Sequence, residues 1–219
     1  MKTVLAFGDS LTWGYNPETM LRHDFFDRWP NVVGKALGHR VRVISEGLNG
    51  RTTAFDDHMV SAERNGVKIL PTLLASHQPL DGLVVMLGTN DLKRNTGGGR
   101  VFESRQGLER IVEIALGFPY QRGYRSPKIL LVAPPPFCST TEPDFSLLFG
   151  HAKDESIHFR SAVTKVAEEY GVAMFDAGEV CETSPIDGVH LDATNSRRLG
   201  EALVEPIRAL LGSDDDQSA

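Results

Sequence analysis

The chain has 219 residues, 41% of them apolar and 24% charged, and its 23 basic against 29 acidic side chains leave a net charge of −6. That is enough for one domain with a sizeable core, and the acidic balance argues against broad nucleic-acid binding, which needs basic surface. No apolar run approaches the roughly 18 residues of a membrane span, so no membrane partner is expected.

In chain order, five apolar runs read as strands: Thr3–Phe7, Val41–Ile44, Leu83–Leu87, Ile129–Ala133 and Val172–Phe175. Several are rich in Val, Ile and Leu without polar alternation, as parallel strands covered on both faces require. Helix-like stretches lie between them. In one, Phe159, Val163, Val166 and Tyr170 recur at helical spacing, while Lys165, Glu168 and Glu169 face the other way. A last helix is predicted after Asp192, a good N-cap, through Leu199, Leu203 and Leu210. Alternating β and α implies an α/β fold, a three-layer α/β/α sandwich with a five-stranded parallel sheet of flavodoxin-like type. One domain is expected over residues 1–212, followed by a disordered acidic tail, residues 213–219. Two long loops are expected, Asn95 to Gly99 and Pro134 to Gly150.

Four segments follow strands and so meet at one edge of the sheet. They are Gly8-Asp9-Ser10-Leu11, Glu46-Gly47-Leu48-Asn49-Gly50-Arg51-Thr52-Thr53, Gly88-Thr89-Asn90-Asp91 and Asp187-Gly188-Val189-His190. Ligands of parallel α/β sheets bind at the carboxyl ends of the strands. A serine hydroxyl is a weak nucleophile without a base. Histidine suits that task near neutrality, and a carboxylate fixes its tautomer. Ser10, His190 and Asp187 are the catalytic candidates in those roles. Oxyanion donors are available as the Ser10 N–H, the Gly50 N–H and the Asn90 amide. Taken singly, Ser10 could be an N-cap, Asn90 a turn residue and Asp187–His190 a surface ion pair; their order and placement together favour chemistry. Asp9 reads as a structural residue that bonds the turn backbone.

These blocks resemble those of the SGNH hydrolases, the GDSL esterase/lipase superfamily. The resemblance runs from Phe7 to about Leu211. The longer runs around Ser10 and Gly50, together with Ala133-Pro134-Pro135-Pro136, look most like the bacterial arylesterase/acyltransferase subgroup. It implies the SGNH hydrolase fold, a triad of Ser10, His190 and Asp187, and an oxyanion hole of Ser10, Gly50 and Asn90. It also implies a serine esterase acting on short-chain acyl and aryl esters, with acyltransferase or perhydrolase side activity, and assembly into a homo-oligomer. Trp13 is expected on the substrate pocket wall, and Phe149 is a weaker candidate for it. A carbohydrate O-deacetylase and a non-catalytic flavodoxin-like binding protein are the competing readings.

The partner expected is a small-molecule ester, with no cofactor. Gly97-Gly98-Gly99 lacks the Lys and Ser/Thr of a phosphate loop. His151 with His158, and Asp56-Asp57-His58, lack a full metal-ligand set, so no metal is expected, and most histidines other than His190 read as surface. Cys138 and Cys181 have neither disulfide-framework nor metal-ligand spacing and read as reduced thiols. No secretory h-region precedes the first strand, so a cytoplasmic location is expected.

Overall fold

Side-chain alternation along the central strands sets the architecture, because successive residues of a strand point to opposite faces. In the computed structural model, which describes residues 1–212, Leu5, Phe7, Leu83, Val85 and Leu131 enter one hydrophobic core, and Val4, Ala6, Val84, Met86 and Leu130 enter another. A strand apolar on both faces needs a helical layer on each side. The tail expected at 213–219 lies outside the described residues.

The elements follow in order: β1 (Lys2–Gly8), α1 (Ser10–Trp13), α2 (Trp29–Leu37), β2 (Val41–Gly47), α3 (Gly66–His77), β3 (Gly82–Met86), α4 (Val101–Gly117), β4 (Lys128–Ala133), α5 (Pro143–Phe149), α6 (Lys153–Ser156), α7 (Phe159–Tyr170), β5 (Ala173–Asp176) and α8 (Ala193–Leu211). The five strands are all parallel and lie in the order β2-β1-β3-β4-β5. Helices α3, α4 and α7 cover one face, and α2 and α8 the other. The chain starts in the middle of the sheet, steps out to β2, then crosses to β3. The gap between β1 and β3 is therefore the topological switch point, where such sheets bind ligands.

All five expected strands are present. β2 runs three residues beyond its apolar run, through Ser45, Glu46 and Gly47, which stay in register with Ala6, Phe7 and Gly8 of β1. An edge strand needs backbone pairing along its length but not apolar side chains throughout, so the polar end was invisible to a hydrophobicity pattern. Asp192 caps α8 by accepting from the Asn195 N–H at 2.7 Å. In α7, Phe159, Val163 and Val166 are buried as the spacing predicts. The segment Pro134–Gly150 differs from the loop expected, since its second half forms α5. Glu142 nucleates that helix by accepting from the Phe145 N–H at 2.7 Å, with Pro143 at the first position. Its residues Phe145, Leu147, Leu148 and Phe149 make a short apolar stretch that carries no clear helical period.

Candidate active site

The floor of the site is assembled from the ends of β1, β2 and β3. Asp9 follows β1 and caps α1, its Oδ1 accepting from the Leu11 N–H at 2.9 Å. This cap places Ser10 on the first helical turn, 4% exposed. Gly47 at the end of β2 lies so close to α1 that a Cβ there would sit 2.2 Å from the Trp13 backbone nitrogen. Gly50 has φ +82°, a conformation that favours glycine. A Cβ there would also meet the Arg64 guanidinium, 2.5 Å from Cζ.

Arg51 ties these segments together. Its guanidinium is buried, donates to the carbonyls of Gly8 (2.8 Å) and Glu46, and lies 4.5 Å from the Phe7 ring centre. Burial lowers its pKa to about 10, still charged near neutrality. Its own carbonyl accepts from Asn90 Nδ2 at 3.1 Å, and Asp9 Oδ2 lies 3.4 Å from the same nitrogen. Asp91 completes the frame by accepting from the Thr53 N–H (2.8 Å) and Thr53 Oγ1 (2.7 Å). Asp9 and Asp91 are fully buried, and burial pushes their carboxyls up to about 7 and about 6.

His190 arrives from the loop between β5 and α8. Its Nε2 lies 2.9 Å from Ser10 Oγ and its Nδ1 2.6 Å from Asp187 Oδ2. Asp187 Oδ1 accepts from the backbone N–H groups of Val189 (3.0 Å) and His190 (2.9 Å). Burial alone pushes the Asp187 carboxyl up. The hydrogen bond and charge of His190, with the two N–H donors, together hold it below the usual carboxylate range. An ionised Asp187 facing Nδ1 leaves Nε2 free to accept a proton from Ser10.

A cavity of about 160 Å³ opens over Ser10, lined also by Gly50, Asn90 and His190. Sequence and structure thus bring Ser10, Gly50, Asn90, Asp187 and His190 to one place. Phe149 lines this cavity, whereas Trp13 is not among its lining residues. Trp13 ends the single turn of α1 and its ring lies under the Arg22 guanidinium, 4.8 Å from centre to Cζ. The aromatic residue against the histidine is Tyr15, 4.2 Å between ring centres, with Phe145 edge-on at 5.4 Å. Neither was singled out from the sequence, because each reaches the site through an irregular loop or a short helix whose direction no periodicity encodes. Asn49, Arg64, Lys93 and Leu148 complete the polar and apolar parts of the wall. A second cavity of about 200 Å³ lies behind Phe145, Phe149 and Val189, which line both.

Other candidates fall elsewhere. Asp56 pairs with Lys68 at 2.6 Å and Asp57 with Arg64 at 2.6 Å. Among the described residues no group of three or more His, Cys, Asp or Glu could hold a metal ion. His23 is buried rather than at the surface, its Nε2 3.0 Å from the Leu191 carbonyl. Cys138 and Cys181 are free thiols, and burial pushes Cys181 up to about 12. No helix among the described residues is long and apolar enough to cross a membrane.

Ser10, His190 and Asp187 lie in hydrogen-bond contact at the carboxyl edge of a five-stranded parallel α/β sheet, and comparison with known proteins supplies the family. The model of the GDSL-like lipase/acylhydrolase family matches residues 6–197. The structure superimposes on a carbohydrate acetylesterase family member from Sinorhizobium meliloti with TM-score 0.93, at 46% identity over 97% of this chain and 100% of that one. A second carbohydrate acetylesterase from Sinorhizobium meliloti gives 0.90 at 38% identity, over 96% and 100%. The aryl esterase of M. smegmatis gives 0.90 at 38% identity, also over 96% and 100%. No match is found among curated proteins. The chain belongs to the GDSL-like lipase/acylhydrolase family and is a carboxylic ester hydrolase with the SGNH fold.

Proposed function

We propose that this enzyme hydrolyses short-chain acyl and aryl esters through an acyl-enzyme on Ser10. The observation that carries the reading is the unbroken relay from Ser10 Oγ through His190 to Asp187, opening into a cavity of only about 160 Å³. Ser10 Oγ attacks the ester carbonyl as His190 Nε2 takes its proton. The oxyanion is met by the backbone N–H groups of Ser10 and Gly50 and by the Asn90 amide. His190 then protonates the departing alcohol, and afterwards activates a water that releases the acid and restores Ser10. Where an alcohol or peroxide takes the place of that water, the same acyl-enzyme gives acyl transfer or perhydrolysis.

A second reading, carbohydrate O-deacetylation, keeps the same machinery. It is supported by Asn49, a polar residue of the cavity wall whose buried Oδ1 has no hydrogen-bond partner. Two similar structures carry the name carbohydrate acetylesterase, and three carry the name arylesterase or aryl esterase, one of these by a provisional assignment. A panel of p-nitrophenyl esters of rising acyl length, run beside peracetylated glucose, tests the proposal. Acetate should exceed octanoate by about tenfold or more in kcat/KM, consistent with the cost of misfitting methylenes in a small pocket. A preference for the long chain overturns the short-chain reading, and acetylated sugar exceeding aryl acetate favours the second. The resemblance also implies a homo-oligomer, which light scattering reads directly.

A further inference from the structure

The charged groups of the cavity wall are the least expected feature of this site. The chain carries a net charge of −6, yet among the described residues the wall holds two basic side chains, Arg64 and Lys93, and no Asp or Glu. The two are not in the same position. Arg64 is neutralised by Asp57, Nη1 to Oδ2 at 2.6 Å, and lies against Gly50. Lys93 follows directly on the turn that carries Asn90, its backbone N–H donating to the Asn90 carbonyl at 3.3 Å. Its ammonium lies 5.5 Å from the Phe149 ring centre and makes no ion pair with a described carboxylate. A half-buried ammonium facing an aromatic ring and a cavity is under-solvated, and a carboxylate entering the cavity would relieve that.

We propose that the site selects esters bearing a carboxylate near the scissile bond, with Lys93 as the residue that recognises it. The proposal rests on the esterase reading above and names the substrate class of the same site. Burial and the neighbouring Arg64 charge lower the pKa of Lys93, while Asp57 and Asp9 act the other way without prevailing. Asp57 is already engaged by Arg64, and Asp9 is fully buried beneath the floor with its own carboxyl pushed up to about 7. Neither carboxylate therefore pairs with the Lys93 amine, which faces the cavity without an anionic partner among the described residues. A charge-assisted contact between that amine and a substrate carboxylate is worth about 10- to 100-fold in kcat/KM.

The test compares matched pairs of esters in wild type, Lys93→Gln and Lys93→Arg. One pair places the carboxylate on the acyl side, mono-p-nitrophenyl glutarate against p-nitrophenyl butyrate. The other places it on the alcohol side, 4-acetoxybenzoate against its methyl ester. Because intrinsic ester reactivity cancels between enzymes, the readout is the anionic-to-neutral ratio of kcat/KM. That ratio should fall about tenfold or more in Lys93→Gln in at least one pair, which also assigns the side, and should be retained in Lys93→Arg. In wild type it should weaken as salt is raised. An unchanged ratio in both pairs overturns the proposal, including the case where both esters slow in parallel and Lys93 serves the oxyanion or the fold. Should Lys93→Gln fail to fold, wild type decides alone. Benzoate must then inhibit neutral-ester hydrolysis more strongly than benzamide, and equal inhibition overturns the proposal. Neutral-ester hydrolysis that disappears in Ser10→Ala leaves the esterase reading standing whichever way the anion test falls.

Discussion

On the floor of the cavity, buried charged side chains pin every donor to a strand end, whereas on the rim, short aromatic and aliphatic side chains stand on one brief helix. Arg51 spans the ends of β1 and β2 and holds Asn90 through its carbonyl, and Asp91 grips Thr53 from the next strand. On the rim, α5 buries Phe149 but leaves Leu147 80% and Leu148 40% exposed. The difference separates two tasks. Groups that meet a developing charge must be held before it forms, because reorganising them during the reaction would add to the barrier. Groups that meet the rest of the substrate need shape, and a short helix supplies it without disturbing the floor.

The largest effect expected on this contrast comes from the floor. Asn90→Ala removes the proposed oxyanion donor and leaves the Arg51 carbonyl without its partner, so kcat should fall by about 10²–10³. A loss under tenfold, in a variant whose urea midpoint matches wild type, would show that Asn90 only closes a turn.

The floor is also held at a cost that depends on pH. Asp9 has its carboxyl pushed up to about 7 by burial, with Asp91 adding to the rise, against an ordinary 3.8. The folded chain therefore keeps a proton that the unfolded chain releases, and stability from this group falls as pH rises from about 4 to about 7. Asp9→Asn removes that dependence. Relative to wild type, the variant should gain on the order of 2–3 kcal/mol in urea-unfolding free energy between pH 5 and pH 8. A difference that stays constant across this range would place the Asp9 carboxyl near its ordinary value.

The smallest of these effects lies on the rim. Phe145 and Phe149 stack at 6.1 Å between ring centres and, with Val189, line both cavities, about 160 and about 200 Å³. Phe145→Ala should join the two spaces and move the preference between acetate and hexanoate esters about tenfold toward hexanoate, with the acetate rate changed less. An unaltered chain-length profile would mean that the second cavity is closed off by the backbone.

The same contrast explains what could be read from the sequence. The strands were legible because β1, β3 and β4 are apolar on both faces, and Ser10, Gly50 and Asn90 because each follows a strand end in a short recognisable block, while Asp187 and His190 stand in a fourth such block ahead of α8. Arg51, Thr53 and Asp91 stood in those blocks without an evident task, since their bonds run between segments that meet only in three dimensions. Tyr15 and Phe145 carried no signal, because their approach to His190 depends on an irregular loop and on a helix capped by Glu142. Trp13 shows the opposite case. It stands three residues after Ser10, yet the turn of α1 carries its ring to Arg22 instead of the cavity lining.

The central claim is that Ser10 is a nucleophile activated by His190. Brief treatment with an organophosphate or sulfonyl fluoride, followed by peptide mass spectrometry, tests it most directly. One adduct per chain, on the peptide containing Ser10, rising in step with loss of esterase activity and formed far more slowly in His190→Ala, is the predicted result. Activity lost with the adduct on another residue, or full labelling of Ser10 at an unchanged rate in His190→Ala, would contradict it.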